Sequence, residues 1–195
     1  MGTAIRNMHL SELEDIYKRI TEDFAQGEYP PFDKLYKQLE ANIQKGWILV
    51  HDGRDAAYSI CAEGPENGFV LISFFAVYKE YRGTGIGTVF LEKLKEMYSR
   101  SSGIIVEVEK AEDALHLEDA GIREKRMEFY SRAGFSLVPG IDYVIWDVPM
   151  HLMVFQCSIP LMEVNEKIHG IMHEIYYQLL GEQFIHKLKC NKILK

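Results

Sequence analysis

The chain has 195 residues, a formal net charge of −7 at pH 7, 47% hydrophobic residues and 26% charged residues. This length is enough for one domain with its own core, and the negative charge argues against a general nucleic-acid binder, which needs a basic face. The longest apolar runs lie within FVLISFFAV, residues 69–77, which is far too short to span a bilayer, so we expect no membrane contact. The three cysteines lack a C-x-x-C pair, which favours reduced thiols in a cytoplasmic protein: Cys61, Cys157 and Cys190.

Apolar residues repeat at helical and strand spacings that alternate along the chain. In chain order, the predicted elements are a strand at 4–7, helices at 11–24 and 32–45, strands at 47–51, 56–63 and 69–77, a helix at 86–97, a strand at 104–109, a helix at 122–133, and strands at 143–146 and 151–155. Ser11 and Glu14 fit a capping box for the first helix, and Gly46 is expected to end the second. Asp52-Gly53 predicts a hairpin turn, and Gly134 predicts a helix C-terminus.

Beyond residue 158 the pattern changes to one amphipathic helix. Its apolar face consists of Val164, Ile168, Ile171, Met172, Ile175 and Leu179. We expect this helix to pack on its own domain, with packing on a second subunit, and hence a homodimer, as the alternative. We therefore divide the chain into a domain over 1–157 and a helical extension over 158–195. The Lys-rich end, HKLKCNKILK (186–195), is typical of a solvated helix face or a loose tail.

The segment YKEYRGTGIGTVFLEKLKEM, residues 78–97, places Gly83, Gly85 and Gly87 on alternate positions directly before a predicted helix. Glycine costs backbone entropy, so we expect something to approach the main chain closely there. A strand, a glycine-rich loop and a helix N-terminus form an anion site, because outward N–H groups and the helix dipole attract negative charge. The segment therefore predicts a phosphate or pyrophosphate ligand, with a plain tight turn as the structural alternative.

Two common phosphate-binding designs fit this loop poorly. A P-loop needs a Lys directly after its glycines, and none is present. A dinucleotide-binding fingerprint has the pattern G-x-G-x-x-G/A, and counted from Gly83 its last position falls on Thr88. Glu107 lies 20 residues beyond Gly87, at the spacing of the acid that binds a ribose in that design. The glycines of that design should also follow their strand at once, whereas YKEYR intervenes after Val77. A nicotinamide-dependent oxidoreductase is therefore disfavoured.

A third phosphate-binding design matches the loop at every position of its motif. RGTGIG, residues 82–87, matches the motif R/Q-x-x-G-x-G/A, and FYSRAGF, residues 129–135, resembles the motif LYxxxGF. Together with the element order, these motifs show that residues 4–156 resemble the GNAT superfamily of acyl-CoA-dependent N-acetyltransferases. The resemblance implies an α/β (α+β) GNAT fold, in which helices flank a mixed, mostly antiparallel sheet of six to seven strands. The C-terminal amphipathic helix would be an addition to that fold.

The resemblance also implies an enzyme that moves an acetyl group from acetyl-CoA to a primary amine, without a metal. In this superfamily the loop amides bind the pyrophosphate of coenzyme A. On this chain that role falls to Arg82, Gly83, Thr84, Gly85, Ile86, Gly87 and Thr88. Main-chain groups at the end of the fourth strand pair with the pantetheine arm, which here implies Phe75, Ala76 and Val77.

Tyr130 stands where the family places the tyrosine acid that protonates the departing thiolate and contacts the cofactor; the alternative is a core tyrosine. Glu107 and Glu109 alternate on one predicted strand and therefore face the same side. Either is a candidate general base, with Glu107 favoured, and solvent-facing strand residues are the alternative. Relatives often carry Asn and Ala where this chain has Arg123 and Arg126. These arginines could contact a phosphate of coenzyme A or an acidic acceptor, or form a charged helix face.

The acceptor is expected to be a small-molecule or peptide amine. The acidic stretch EKAEDALHLEDAG, residues 109–121, could attract a cationic amine or could be a solvated loop. His169 and His173 lie four apart on the last helix, but a third ligand is not evident, so we expect no metal site. The functional alternative to an enzyme is a non-catalytic acyl-CoA-binding sensor or adaptor module.

Overall fold

The computed structural model describes residues 2–66 and 68–193 of the chain. The helices in this part are α1 Leu13–Asp23, α2 Phe32–Glu40, α3 Ile86–Met97, α4 Leu117–Arg132 and α5 Leu161–Leu180. The strands are β1 Thr3–Asn7, β2 Gln44–His51, β3 Arg54–Glu63, β4 Phe69–Val77, β5 Gly103–Glu109, β6 Ser136–Leu137, β7 Ile141–Ile145, β8 Val148–Gln156 and β9 Leu188–Lys192. In the described ranges, every helix is too short or too polar to cross a membrane.

The strands follow the order β1-β2-β3-β4-β5-β8-β7-β9, with β6 beside β8, and helices flank them. The pairings β1–β2, β2–β3, β5–β8, β6–β8, β7–β8 and β7–β9 are antiparallel. This confirms the predicted mixed α/β fold. The described part of the sheet has nine strands rather than six to seven, because β6 and β9 were not predicted.

The chain divides into two compact units. Unit 1 comprises Met1–Ala62 and Ile72–Met97, and unit 2 comprises Glu63–Leu71 and Tyr98–Lys195. β4 contributes its first three residues to unit 2 and the rest to unit 1. Unit 1 therefore contains the predicted glycine loop, and unit 2 contains the predicted catalytic residues.

The core of unit 1 forms where α1 and α2 cover strands β2, β3 and β4 with their apolar faces. Its buried members are Leu13, Ile16, Ile20, Leu35, Leu39, Ile48, Tyr58, Ile60, Phe74, Ala76 and Tyr78. The spacing of these residues on α1 and α2 is the helical period that the sequence predicts. Burial of these side chains is the main stabilising contribution to the unit.

Two predicted helix boundaries in unit 1 are wrong. A short helical turn precedes α1, and there the His9 N–H donates to the Glu12 carboxylate at 2.7 Å, so the capping box does not involve Ser11. The second helix ends at Glu40 rather than at Gly46, because Asn42 takes a left-handed conformation with φ 56°. Gly46 lies instead within β2, where the side chain of Met8 packs against it.

Tight turns join two antiparallel strand pairs. Asp52 and Gly53 have φ values of 48° and 78°, which confirms the predicted hairpin between β2 and β3. Trp146 and Asp147 form a similar turn between β7 and β8, with φ values of 51° and 65°, which the sequence did not predict. Trp146 is neither Gly nor Asn, the residues that adopt this conformation most readily, and its N–H donates to the Lys187 carbonyl at 3.2 Å.

Unit 2 differs from the prediction at α4 and at the C-terminal end. α4 begins at Leu117 rather than at residue 122, so the acidic stretch is partly helical. The apolar face predicted for the last helix is buried along α5, together with Tyr176. Within the Lys-rich end, Leu188–Lys192 is the strand β9, paired with β7, so the prediction of a helix face or loose tail is wrong there. Residues 194 and 195 lie outside the described residues.

Two glycine substitutions in unit 2 should have opposite effects on stability. In Gly103→Ala, the new Cβ would lie 2.7 Å from Phe69 Cε1 and 3.1 Å from the Phe155 carbonyl oxygen, so we expect a loss of about 1–3 kcal/mol in unfolding free energy. In Gly170→Ala, within α5, the Cβ would meet no described atom within 4 Å, so we expect a gain of about 0.5–1 kcal/mol. Urea unfolding of both variants measures the difference, and equal effects would contradict the packing described for β5.

Candidate functional site

The predicted site residues fall into two groups. The strand end and the glycine loop belong to unit 1, and Glu107, Glu109 and Tyr130 belong to unit 2. Each group is built by local elements of its own unit, and its geometry follows from those elements.

The glycine loop needs glycine for its backbone conformation. After the short helical turn Lys79–Tyr81, Gly83 and Gly85 have φ values of 76° and 87°, a region that L side chains rarely adopt. A Cβ at either position would meet no described atom within 4 Å. The two glycines therefore do not relieve crowding within the fold, and the space above them is open to a ligand.

Most main-chain N–H groups of the loop are not used within the described part of the chain. The N–H groups of Arg82 and Thr84 donate to the carbonyls of Lys79 and Tyr81 at 3.3 and 3.4 Å, which are long hydrogen bonds. Among the described residues, five further N–H groups make no main-chain hydrogen bond; they belong to Gly83, Gly85, Ile86, Gly87 and Thr88. Three of these form the first turn of α3, where the helix dipole also favours an anion. The loop therefore fits a phosphate or pyrophosphate.

The side chain of Arg82 fastens the loop to the end of α1. Its Nε donates to the Val77 carbonyl at 2.9 Å, and one terminal nitrogen donates to Asp23 Oδ1 at 2.6 Å. Asp23 is largely buried, with 12% of its side chain exposed. The guanidinium is therefore engaged within the protein, and its observed contacts hold the loop in place. One of the main-chain groups predicted to pair with a pantetheine arm, the Val77 carbonyl, already accepts this bond.

The end of β4 is fixed on both sides by unit 1. The ring of Phe75 stacks on Phe90 of α3, with 5.3 Å between the centroids. Ala76 is buried in the core, and the N–H of Tyr78 donates to the Ala56 carbonyl at 2.9 Å. Strand, loop and helix start are therefore held together as a local unit by packing and main-chain hydrogen bonds.

In unit 2, the carboxylate of Glu107 accepts hydrogen bonds from two tyrosines. The hydroxyl of Tyr176, on α5, lies 2.8 Å from Oε1 and 2.9 Å from Oε2, and the hydroxyl of Tyr143, on β7, donates to Oε1. Tyr143 is fully buried and Tyr176 is nearly so. Burial raises the pKa of Glu107, and the hydrogen bonds from Tyr143 and Tyr176 oppose that rise. The sequence-based alternative, a solvent-facing strand residue, does not describe this carboxylate.

Glu109 lies two residues along β5, and two arginines of α4 hold it. Its Oε1 is 2.9 Å from Arg123 and its Oε2 is 2.6 Å from Arg126. Arg123 also donates to the Lys110 carbonyl at 2.9 Å. The two arginines that depart from the family pattern are therefore engaged with a carboxylate of the same chain. Both oxygens of Glu109 are already used by guanidinium donors.

Tyr130 lies in the last turn of α4, where the chain reverses. Its carbonyl accepts the N–H of Phe135 at 3.0 Å, and the Ser131 carbonyl accepts that of Gly134 at 3.0 Å, while Gly134 has φ 89°. This is a Schellman motif, and it confirms the predicted helix end. The Tyr130 ring packs edge-on against Phe129 and Phe135. The FYSRAGF segment therefore fixes the position of Tyr130 through its backbone and its aromatic neighbours.

Several carboxylates of the acidic stretch, residues 109–121, have a structural role within the protein. Glu112 pairs with His151 at 3.0 Å, and Glu118 and Asp119 occupy the first turn of α4, where negative charge is favourable. His169 lies 2.7 Å from the Cys190 carbonyl through Nδ1. In the part of the chain that is described, no three His, Cys, Asp or Glu side chains gather as a metal site would require.

Sequence reasoning missed three residues that hold the candidate site groups. Asp23, Tyr143 and Tyr176 contact the predicted residues Arg82 and Glu107 across long sequence separations. The only sequence signal for Tyr176 is a polar hydroxyl on the apolar side of the last helix. Without knowledge of the strand order, this signal does not identify Glu107 as the partner of Tyr176.

Comparisons with known proteins bear on the family. Residues 42–137 match the model of the acetyltransferase (GNAT) domain, a range that includes the loop, Glu107 and Tyr130. YjbC of Bacillus subtilis (strain 168), assigned as an acetyltransferase, is 27% identical over 118 residues, which are 60% of this chain and 57% of YjbC. The match therefore spans little more than half the length of that relative.

Solved structures share the fold. A Bacteroides thetaiotaomicron protein assigned to the GNAT family covers 91% of this chain and 98% of its own, with a TM-score of 0.73 and 21% identity. The ribosomal-protein-S18-alanine N-acetyltransferase of Escherichia coli covers 82% and 96%, with a TM-score of 0.58 and 19% identity. At these identities the structural matches establish the fold. With the domain match, they confirm the resemblance that the sequence motifs predict.

A double-mutant cycle tests the fastening of the loop. Because Asp23 is mostly buried, we expect Arg82→Ala and Asp23→Ala to show a coupling energy of about 1–2 kcal/mol in urea unfolding. Lys79 and Glu22 provide a matched control, since they join the same two segments at 3.2 Å but are mostly exposed. Their coupling should stay below about 0.5 kcal/mol. Equal coupling in the two cycles would contradict a specific role of Arg82.

Proposed function

We propose that this chain, whose residues 42–137 match the model of the acetyltransferase (GNAT) domain, transfers an acetyl group from acetyl-CoA to a primary amine by direct attack. The observation that carries the proposal is the row of N–H groups without main-chain acceptors at Gly83, Gly85 and the first turn of α3, within the described residues. Coenzyme A presents a pyrophosphate, which is the anion that such a loop and helix start can bind through main-chain donors.

The proposed reaction is a single displacement on a thioester. The neutral amine attacks the acetyl carbonyl carbon, a C–N bond forms, the C–S bond breaks, and the amine nitrogen loses one proton to a base. The departing thiolate gains one proton from an acid. We propose Tyr130 as that acid and Glu107 as that base, acting directly or through water.

The surroundings of the two strand carboxylates support Glu107 over Glu109 as the base. The oxygens of Glu109 are held at 2.6–2.9 Å by two permanently charged guanidinium groups, and a proton there would break an ion pair. Glu107 accepts only neutral hydroxyl donors from Tyr143 and Tyr176. Burial raises the pKa of Glu107 from its ordinary value, which brings a carboxylate closer to the strength that a general base needs.

We propose a small-molecule or peptide amine as the acceptor class. Two proteins that share the fold are named for such acceptors, an alanine of ribosomal protein S18 and, in Vibrio cholerae, spermidine. Exposed carboxylates at Asp113, Glu118 and Asp119 would favour approach of a cationic amine over an acidic one. Thiol release from acetyl-CoA across a panel of amines tests the function. Binding of coenzyme A with no turnover on any amine would instead support a sensor or adaptor module.

Removing the Tyr130 hydroxyl should slow the reaction without weakening cofactor binding. We expect Tyr130→Phe to lower kcat about a hundredfold or more, because the thiolate then departs without a positioned proton donor. Steady-state kinetics gives kcat, and calorimetry with coenzyme A gives Kd, which should stay within about twofold of the parent protein. An unchanged kcat would show that Tyr130 is not the acid.

An added methyl group on the loop should weaken coenzyme A binding. We expect Gly85→Ala to raise Kd about tenfold or more, because its Cβ enters the open space proposed for the pyrophosphate and φ is 87°. Gly53→Ala is the matched control, since Gly53 also has a positive φ, at 78°, and open space around it, but lies in the β2–β3 turn. Both variants should lose about 1 kcal/mol of stability, and only Gly85→Ala should lose affinity in calorimetry.

A further inference from the structure

Three side chains of unit 2 form a hydrogen-bonded cluster around one carboxylate. Tyr143 comes from β7, Tyr176 from α5 and Glu107 from β5, and the tyrosines lie 36 and 69 residues away from the glutamate in sequence. Glu107 as a residue is intermediate in exposure, and protein atoms crowd its carboxylate. The hydrogen bonds from the two tyrosines therefore hold this carboxylate in place.

Packing alone does not account for two tyrosines at these positions. A phenylalanine would fill the same buried space and would need no hydrogen-bond partner. Both hydroxyls are instead directed at the same carboxylate, and Tyr176 contacts both of its oxygens. Two donors from different elements fix the rotation and the position of the carboxylate, which a single donor does not.

The groups that face Glu107 leave it as the one carboxyl of the cluster, and burial raises its pKa from the ordinary value. Burial raises the pKa of Tyr143 and of Tyr176 well above the ordinary value, so both remain neutral donors. Burial also raises the pKa of Cys190, on β9, to about 11, and that thiol stays protonated. On β8, the partner of Glu107 is the apolar Leu152. On its own strand, Glu109 is neutralised by the arginines of α4.

We infer that Tyr143 and Tyr176 are positioning residues that hold the Glu107 carboxylate as the proton acceptor of the acetyl transfer. This inference rests on the proposed function. It gives the C-terminal helix a part in the reaction, because the hydroxyl that contacts both oxygens of Glu107 comes from α5. The two hydroxyl donors also favour the ionised form of the carboxylate and so oppose the rise in its pKa that burial causes.

The test is the pH dependence of the rate in Tyr143→Phe and Tyr176→Phe. A base works only when ionised, so the rate falls as pH drops through its pKa. Removing a hydroxyl donor destabilises the ionised form, and the acidic limb should move to higher pH by about one unit. Measurements with two acceptors whose amines differ in pKa show which group causes the acidic limb of the pH–rate profile. A limb due to Glu107 keeps its position when the acceptor changes, whereas a limb due to the amine moves. KM for acetyl-CoA should stay within about twofold.

Controls and a second measurement separate positioning from folding. Tyr177→Phe, the next residue on α5 and half exposed, should leave the limb in place. Glu107→Gln should abolish the limb and lower kcat about a hundredfold to ten-thousandfold. Carbon-13 NMR of labelled glutamate carboxyls, assigned with Glu107→Gln, follows the titration of Glu107 without any need for turnover, and the tyrosine variants should raise its midpoint by a similar amount.

Each outcome decides the inference. Matched shifts in the rate profile and in the NMR titration support it. If the pH–rate profiles of the active tyrosine variants coincide with that of the parent protein, the inference is overturned. The tyrosines then have only a folding role, which a lower Tm of the variants would reveal. An unmoved NMR midpoint shows that the tyrosines do not control the carboxylate. No turnover on any amine in the parent protein, despite coenzyme A binding, refutes the proposed function itself and the role of Glu107 with it.

Discussion

The main-chain N–H groups of the glycine loop and of the start of α3 are the constraint on which the candidate site depends. Within the described residues, five of them make no main-chain hydrogen bond, and donors left in this state require water or a ligand. Gly83 and Gly85 make this possible, because their left-handed backbone turns the chain while leaving open space above it. Arg82 then holds the loop to Asp23 and Val77. The guanidinium of Arg82 thus maintains the conformation of the loop, and the main chain supplies the donors proposed to bind the anion.

The same fold handles two neighbouring carboxylates in opposite ways. Glu107 and Glu109 share a face of β5, yet one is held by tyrosine hydroxyls and the other by guanidinium groups. Neutral donors leave a carboxylate able to accept a proton, whereas two cations oppose its protonation. This difference is the basis for proposing Glu107 as the proton acceptor, whereas the ion pairs of Glu109 attach α4 to β5. α4 needs that attachment, because none of its side chains is fully buried.

Local features of the sequence predicted most of the fold and the loop. The Asp52-Gly53 turn, the Gly134 helix end and the α5 apolar face each follow from residues within a few positions of one another. The strand β9 and the partners of Arg82 and Glu107 do not, because they depend on tertiary contacts. β9 is the clearest case: its Lys-rich composition is typical of a solvated segment, and only pairing with β7, with Cys190 opposite Tyr143, makes it a strand.

Acceptor choice must come from side chains rather than from the fold, since proteins named for different acceptors share this fold. On this chain the arginines of α4 bear directly on that choice. An acidic acceptor that recruited Arg123 or Arg126 would compete with Glu109 for bonds of 2.6–2.9 Å. Breaking such a pair leaves a largely buried carboxylate without its partner, which costs more than an exposed contact returns. Under the proposed function, the internal pairing therefore disfavours anionic acceptors and favours a neutral or cationic amine.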